Sequence, residues 1–251
     1  MSAMTTATSP PFDVPGAGTA KGQGTLAFAI NGRGTVSGIY FDGNGVLHGF
    51  VRSHHGSITS FDPVGSVNTI GDTLGINRAG AISGAYFDAS GVLHGYVRDP
   101  QGAITSFDAP GAGTTPGNGT VASMINDAGT IPGVSFDNNG AAHGFIRSSD
   151  GTFVSFDVVS AGTGAGQGTT AAATNLAGTT AGQYVDAKGV SHGFVRSRHG
   201  RITTFDVAGE GTGAGQGTTS VPSINAEGVI VGSYTDGNGA THGFIRGSED
   251  D

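Results

Sequence analysis

The chain has 251 residues, of which 48 are glycine, and it contains no cysteine and no tryptophan. The lack of cysteine excludes disulfide frameworks, thiolate metal sites and a cysteine nucleophile. Its 19 acidic and 11 basic side chains give a formal net charge of −8, and without a basic patch no nucleic-acid partner is expected. No apolar stretch approaches the length of a membrane span, and no signal peptide is visible at the start.

The first full repeat is predicted to contain four short β-strands, over residues 25–31, 35–42, 46–52 and 57–62. Each stretch is rich in β-branched and aromatic residues and is closed by Gly, Asn or Asp. This pattern is typical of strands joined by tight hairpin turns. No segment carries the apolar stripe of an amphipathic helix. The sequence therefore predicts an all-β protein.

The same pattern recurs along the chain with a regular period. A His-Gly-Phe triplet, or His-Gly-Tyr in the second copy, begins at His48, His94, His143, His192 and His242. Three other marks recur in phase with it: Asn at the end of the first strand, Asp at the end of the second and Phe-Asp at the end of the fourth. A period of this length indicates a repeat fold. The repeats are predicted at about 25–62, 71–108, 120–157, 169–206 and 219–246.

The Phe-Asp pair is displaced in one copy, and this offset predicts how the fold closes. The last repeat lacks the pair, while Phe12–Asp13 stands ahead of the first repeat. We therefore predict a five-bladed β-propeller with four antiparallel strands per blade, in which residues 12–14 complete the last blade. Closure by strands from both ends leaves only short sheet edges. The propeller is expected to be one domain over residues 12–246, between tails at 1–11 and 247–251, and to be a monomer.

Antiparallel connectivity divides the turns between two faces. The long-loop face holds the Asp-x-x-Gly turns and the Gly-rich connections between repeats, and the short-turn face holds the Asn-x-x-Gly turns and the turns after the third strands. Binding residues lie preferentially on loops held by a rigid scaffold, so we expect a ligand on the long-loop face. A polar collar there would suit neutral hydroxylated ligands, with solvated loop tips as the alternative. The collar residues are Gln23, Asp72, Asn118, Gln167 and Gln216.

Positions at which the copies differ are further candidates. The first strands are expected to line the axial channel, and their residues two and three places before the Asn vary in size and polarity. Phe28 and Met124 are the bulky members and are predicted ligand contacts. The alternative explanation is that these positions are loosely packed and vary between repeats without a functional reason.

The repeated histidines and the Phe-Asp aspartates are expected to build the repeats. In a ring, five histidines on third strands would lie too far apart to bind one ion, and a polar group in every blade needs a hydrogen-bond partner. The aspartates are expected to accept backbone N–H groups from the following Gly-rich turn, and they are Asp13, Asp62, Asp108, Asp157 and Asp206. No metal is predicted, because the Asp-x-x-Gly turns lack the further ligands of a calcium loop. No cofactor is predicted, and no catalytic residue is assigned, because the acid and base candidates all have structural explanations.

Four motifs recur together: Phe-Asp-x-Pro-Gly-Ala, Ile-Asn-x-x-Gly-x-Ile-x-Gly, Tyr-x-Asp-x-x-Gly and His-Gly-Phe. They resemble the bacterial extracellular repeat family of the His-Ala-Phe (HAF) type, and the resemblance covers residues 12–246. It implies a secreted or cell-surface protein and implies no reaction. The expected blade count also resembles the five-bladed tachylectin lectins, which is an analogy of architecture.

A non-catalytic extracellular binding module is the preferred function. Its ligand would be a saccharide or another small neutral molecule, although the absence of tryptophan counts against a sugar. The alternative is an enzyme with its site in the mouth of the axial channel, either like a glycoside hydrolase built on carboxylates such as Asp72 and Glu210 or driven by shape on an apolar substrate. A protein-interaction scaffold is the second alternative.

Overall fold

The computed structural model describes residues 11–247, except the side chains of residues 71–74. Within that range the regular elements are 19 β-strands and there is no helix, which confirms the all-β prediction. The first antiparallel unit pairs its four strands in sequence order. These strands are β1 (Gly24–Ile30), β2 (Val36–Phe41), β3 (Leu47–Arg52) and β4 (Ile58–Phe61).

The remaining strands repeat this arrangement. The second unit consists of β5 (Ser66–Ile76), β6 (Ile82–Asp88), β7 (Leu93–Arg98) and β8 (Ile104–Phe107). The third consists of β9 (Gly119–Ala122), β10 (Ile131–Phe136), β11 (Ala142–Arg147) and β12 (Phe153–Phe156). The fourth consists of β13 (Gly168–Thr174), β14 (Thr180–Val185), β15 (Ser191–Arg196) and β16 (Ile202–Phe205). The last unit has three described strands, β17 (Gly217–Ile224), β18 (Ile230–Thr235) and β19 (Thr241–Arg246).

The hairpin turns show why the sequence marks recur. Asp42 accepts the backbone N–H groups of Asn44 and Val46 through Oδ1, each at 2.8 Å. Gly45 has a φ of +82°, a conformation that glycine adopts without the steric penalty of a Cβ. Asn31 closes the preceding turn in the same way, through the N–H groups of Arg33 and Thr35. The repeated Asn and Asp residues therefore fix the turns between consecutive strands through their side chains.

A hydrogen-bonded series of asparagines joins successive units. The amide of each first-strand Asn donates to the main-chain carbonyl of the matching Asn in the next unit. The series comprises Asn31 to Asn77 at 3.1 Å, Asn77 to Asn126 at 3.1 Å, Asn126 to Asn175 at 3.4 Å and Asn175 to Asn225 at 3.1 Å. These residues thus fix both a turn and the neighbouring unit.

Aromatic rings fill the space between units. Phe61 of β4 meets Tyr96 of β7 edge to face with ring centroids 6.0 Å apart, and the guanidinium of Arg98 lies 5.2 Å from the Phe61 centroid. Such aromatic and cation–π contacts add to the burial of apolar area. The same arrangement recurs with Phe107, Phe145 and Arg147, with Phe156, Phe194 and Arg196, and with Phe205, Phe244 and Arg246.

Phe12 makes this contact with the first unit. Its ring lies 5.9 Å from that of Phe50, and Arg52 lies 4.9 Å from its centroid. Phe12 thus takes the place that a preceding unit's fourth-strand Phe would fill. Phe12 and Asp13 belong to no strand, and within residues 11–247 β19 pairs with β18 alone.

Apolar side chains are exposed at both ends of the array. Phe28 and Ile30 of β1 are 44% and 69% exposed, whereas Ile125, at the place of Ile30 in the third unit, is 7% exposed. In the last unit, Val231 and Ile245 are exposed. The two faces that other units bury against each other are therefore open at the ends of the described array.

The boundary of the second repeat differs from the expected one. Its first strand, β5, begins at Ser66 rather than near residue 71. The connection that begins at Pro63 is shorter than the others and lacks the Gly-Gln-Gly sequence, so strand pairing begins earlier. The expected tails at 1–11 and 247–251 lie almost wholly outside the described residues.

Candidate ligand-binding site

Histidine–aspartate groups recur on the long-loop face. Nδ1 of His48 lies 2.7 Å from Oδ2 of Asp62, and Nε2 lies 3.7 Å from the carboxylate of Asp42. Because a carboxylate only accepts, Nδ1 carries the hydrogen. The imidazole also stacks on Tyr40 at a centroid distance of 5.0 Å. Each group therefore ties the second, third and fourth strands of its unit together.

The same geometry is found in three further units. The pairs are His94–Asp108 at 2.9 Å, His143–Asp157 at 2.9 Å and His192–Asp206 at 2.7 Å. The fourth-strand aspartates thus accept from histidine, whereas the sequence had suggested backbone donors in the Gly-rich turn. His242 of the last unit contacts Asp236 instead, at 3.3 Å through Nε2.

The turn aspartates are held in their ionised form. The pKa of Asp88 is lowered by the N–H groups of Val92 and Ser90 and by His94, against a smaller opposing effect of burial. Hydrogen bonds to a carboxylate stabilise its charged form. Each histidine therefore faces a carboxylate that remains charged at neutral pH.

The predicted collar residues tie the long connections to neighbouring turns. Oε1 of Gln167 accepts the N–H of Gly164 at 3.0 Å, and its Nε2 donates to the carbonyl of Ala187 at 3.2 Å. Gln23 and Gln216 make the equivalent pairs of bonds. The amide groups on which the collar prediction relied are therefore engaged within the protein.

The other predicted ligand contacts are dispersed. Asn118 donates to the hydroxyl of Thr115 at 2.8 Å, and the side chain of Asp72 lies outside the described residues. Phe28 and Met124 are exposed, and neither lines the long-loop cavity described next. Of the predicted contacts, Gln167 is the one that reaches it.

A cavity of about 160 Å³ opens on the long-loop face where the third, fourth and last units meet. We call it the long-loop cavity. Among the described residues it has no charged side chain in its lining, which contains amide, hydroxyl and aromatic residues. The lining residues are Phe136, Ala142, Gly166, Gln167, Gly168, Thr170, Gln183, Tyr184, Val185, Ser191 and Thr219.

Gln183 is the cavity residue that the sequence reasoning missed. Its Oε1 accepts the N–H of Val221 at 3.3 Å, and in the described part of the chain its Nε2 has no hydrogen-bond partner. The matching residues of the other units are Ile39, Ala85, Val134 and Ser233. Comparing the copies at the position after the second-strand glycine would have revealed this amide.

Tyr184 follows Gln183 on β14, so its side chain points to the opposite face of the strand. Its ring stacks on His192 with centroids 4.9 Å apart. Burial, followed by the nearby charge of Asp206, raises the pKa of its phenol. The hydroxyl therefore stays protonated at neutral pH.

One group could hold a metal within the described residues. Ligand atoms of His192, Asp206 and Glu210 lie within 4.8 Å of one another. However, Asp206 is hydrogen bonded to His192. Glu210 accepts the N–H of Val207 at 3.0 Å and the hydroxyl of Thr218 at 2.7 Å. The cluster thus ties down the connection between the fourth and last units.

A second cavity lies on the short-turn face between the fourth and last units. Its volume is about 300 Å³, and we call it the short-turn cavity. Unlike the first, it contains charged groups. Its lining residues are Asn175, Ala177, Thr179, Val195, Ser197, Arg201, Thr203, Ala226, Glu227, Gly228 and Arg246.

No family model and no curated protein matches the chain. Among solved structures, it is similar to the BP39L lectin from Burkholderia pseudomallei, with a TM-score of 0.56 and 13% sequence identity over 96% of this chain and 71% of the lectin chain. At this identity the likeness concerns the fold. None of the elements in residues 11–247 is a helix long and apolar enough to cross a membrane.

Proposed function

We propose that the protein is a non-catalytic binding module for a saccharide or another small, neutral, hydroxylated molecule. The observation that carries this proposal is the lining of the long-loop cavity, which includes Gln183 and has no charged side chain among the described residues. Amides and hydroxyls can donate to and accept from sugar hydroxyls. The similarity to a lectin fold supports the same function.

The chain has no tryptophan, but another aromatic residue can supply the apolar wall of a sugar site. Ligand sites combine apolar or aromatic walls with a few placed polar groups. Phe136 is an aromatic residue of the lining, and Thr170 and Thr219 are hydroxyl residues of it. The volume of about 160 Å³ lies below the usual range of ligand pockets, so we propose that the cavity takes no more than one sugar ring.

The proposal is tested by screening a glycan array and measuring the affinity of positive ligands by calorimetry. Gln183→Ala should weaken binding about tenfold, because it removes a hydrogen bond in a partly dry site. Ser233→Ala, at the matching place in the last unit, should leave affinity unchanged. The proposal fails if no glycan binds or raises the melting temperature, or if both variants bind like the wild type.

We infer that the five units are the blades of a five-bladed β-propeller, with Phe12–Asp13 completing the last blade. Phe12 already contacts Phe50 and Arg52 as the other fourth-strand phenylalanines contact the next unit. The exposed apolar faces at the two ends are the halves of one more such interface, and burying them would stabilise a closed monomer.

Gly243 offers a test of closure. Among the described residues, no side-chain atom lies within 4 Å of a Cβ built there, but closure would bring Phe12 against it. Gly243→Ala should then cost about 1–3 kcal/mol through overpacking. A change below about 0.5 kcal/mol would indicate an open array. Size-exclusion chromatography with light scattering would detect association through the open ends.

We further propose that the protein acts outside the cell. The resemblance to the HAF-type extracellular repeats and the likeness to a lectin support this location. Fractionation of expressing cells should find the protein in the medium or at the surface. Recovery from the cytosol alone would refute this location without affecting the binding proposal.

A further inference from the structure

The short-turn cavity concentrates positive charge in an acidic protein. Arg201 and Arg246 line it. The chain as a whole carries a net charge of −8. A local reversal of sign in a concave site attracts anions.

Arg201 is the residue that distinguishes this cavity from the corresponding places in other units. Ser57, Ala103 and Thr152 occupy its position in the first three units. Its guanidinium makes no ion pair with any residue in the described range 11–247. An unpaired guanidinium at a cavity wall is available to a ligand.

The second arginine is oriented by the fold. The guanidinium of Arg246 lies 4.7 Å from the centroid of Phe205, and burial of such a planar cation against a ring limits its freedom. The lining also contains the hydroxyl residues Thr179, Ser197 and Thr203. Among the described residues, Glu227 is the one carboxylate of the lining.

We propose that the short-turn cavity binds a small hydroxylated molecule bearing one carboxylate, of which a uronic acid is the simplest example. Arg201 pairs with the ligand carboxylate through its planar fork of donors. The threonine and serine hydroxyls bind the ligand hydroxyls. Glu227 accepts from a ligand hydroxyl and repels a second acidic group, so dicarboxylates are disfavoured. The volume of about 300 Å³ lies at the lower end for ligand pockets.

The experiment measures binding of glucuronate and galacturonate, with glucose and galactose as neutral comparisons, by calorimetry at low salt. In the Gln183→Ala variant, whose long-loop cavity is disabled, uronates should bind more tightly than the neutral sugars. Arg201→Gln should weaken uronate binding at least about tenfold, since hydrogen bonds to charged groups are the stronger class. Glu227→Gln should strengthen it by about two- to threefold by removing a like charge.

Two control variants locate the site. Arg33→Gln makes the same charge change on an exposed turn of the first unit and should alter uronate affinity by less than about twofold. Gln183→Ala, in the long-loop cavity, should have no effect on uronate binding. Far-UV circular dichroism should show the wild-type fold for every variant.

Several results would overturn the proposal. One is equal affinity for uronates and neutral sugars in Gln183→Ala. Another is unchanged uronate binding by Arg201→Gln. The third is an equal loss for Arg33→Gln, which would indicate diffuse charge attraction. Loss of uronate binding in Gln183→Ala would assign the acid to the long-loop cavity. The neutral-sugar proposal, in contrast, would fail if no neutral glycan bound, or if Gln183→Ala did not weaken the binding of such a glycan.

Discussion

The asparagine series makes a sharp prediction for Asn77→Asp. Asn77 is 6% exposed, accepts the N–H groups of Gly80 and Ala81 through Oδ1, and donates from Nδ2 to the carbonyl of Asn126 at 3.1 Å. A carboxylate keeps the two turn bonds but cannot donate. The lost bond costs about 1 kcal/mol, and a buried, unpaired charge facing a carbonyl adds about 1–2 kcal/mol. We therefore expect a loss of about 2–3 kcal/mol at neutral pH.

The loss should depend on pH with a definite sign. Burial raises the folded-state pKa of the introduced carboxyl, so its protonated form, which can donate to Asn126, is favoured in the native state. The stability deficit relative to the wild type is then small near pH 4 and grows as pH rises through the folded-state pKa. Urea unfolding followed by far-UV circular dichroism at several pH values measures this difference.

Asn118→Asp is the matched control. Asn118 donates to the hydroxyl of Thr115, and a hydroxyl can donate to a carboxylate in return. This variant should change stability by less than about 0.5 kcal/mol. If Asn77→Asp also stays within that limit, or if its deficit does not change with pH, the asparagine bonds do not hold the units together.

Two further predictions concern repeated positions. A Cβ at Gly49 would lie 2.6 Å from two carbons of the Phe61 ring, so Gly49→Ala should lower the free energy of unfolding in urea by about 1–3 kcal/mol. Gly43 has open space around it, so Gly43→Ala should be nearly neutral. Equal losses in the two variants would contradict the packing argument. Because the pKa of Asp88 is lowered, its contribution is present above its unfolded pKa and is lost as pH falls through the folded value. Asp88→Asn keeps the acceptor oxygen but does not titrate, so it should lose less stability than the wild type on acidification below about pH 4. Thermal unfolding at several pH values measures this difference. A melting temperature that falls equally in both proteins would refute the prediction.

The local structure could be predicted from the sequence because each mark performs a local task. Asn31 and Asp42 each accept two backbone N–H groups within the next four residues, and such turns are determined by neighbouring residues. The strand limits follow because they run from one such turn to the next. The contacts between units depend on packing at long range, and neither the Arg98–Phe61 contact nor the Asn77–Asn126 bond leaves a local signal in the sequence.

The site was less predictable for a related reason. Polar residues in the long connections were natural candidates, but the conformation of each loop determines whether a side chain faces a ligand or its own backbone. Gln23 and Gln216 use both ends of their amides within the loop. Gln183, in contrast, lies on a strand among positions that are mostly apolar in other units, and only the meeting of three units creates a cavity around it.

Both cavities lie where the fourth unit meets the last, and this placement has a consequence for stoichiometry. Equivalent units offer equivalent grooves, so a site built from repeated residues such as His192 would recur along the chain. Gln183 on the long-loop face and Arg201 on the short-turn face each occur once in their positions. A ligand that depends on Gln183 should therefore bind with a stoichiometry of one per chain. The same stoichiometry is expected for a ligand that depends on Arg201. Because such a ligand binds the native state alone, its binding should also stabilise the native protein.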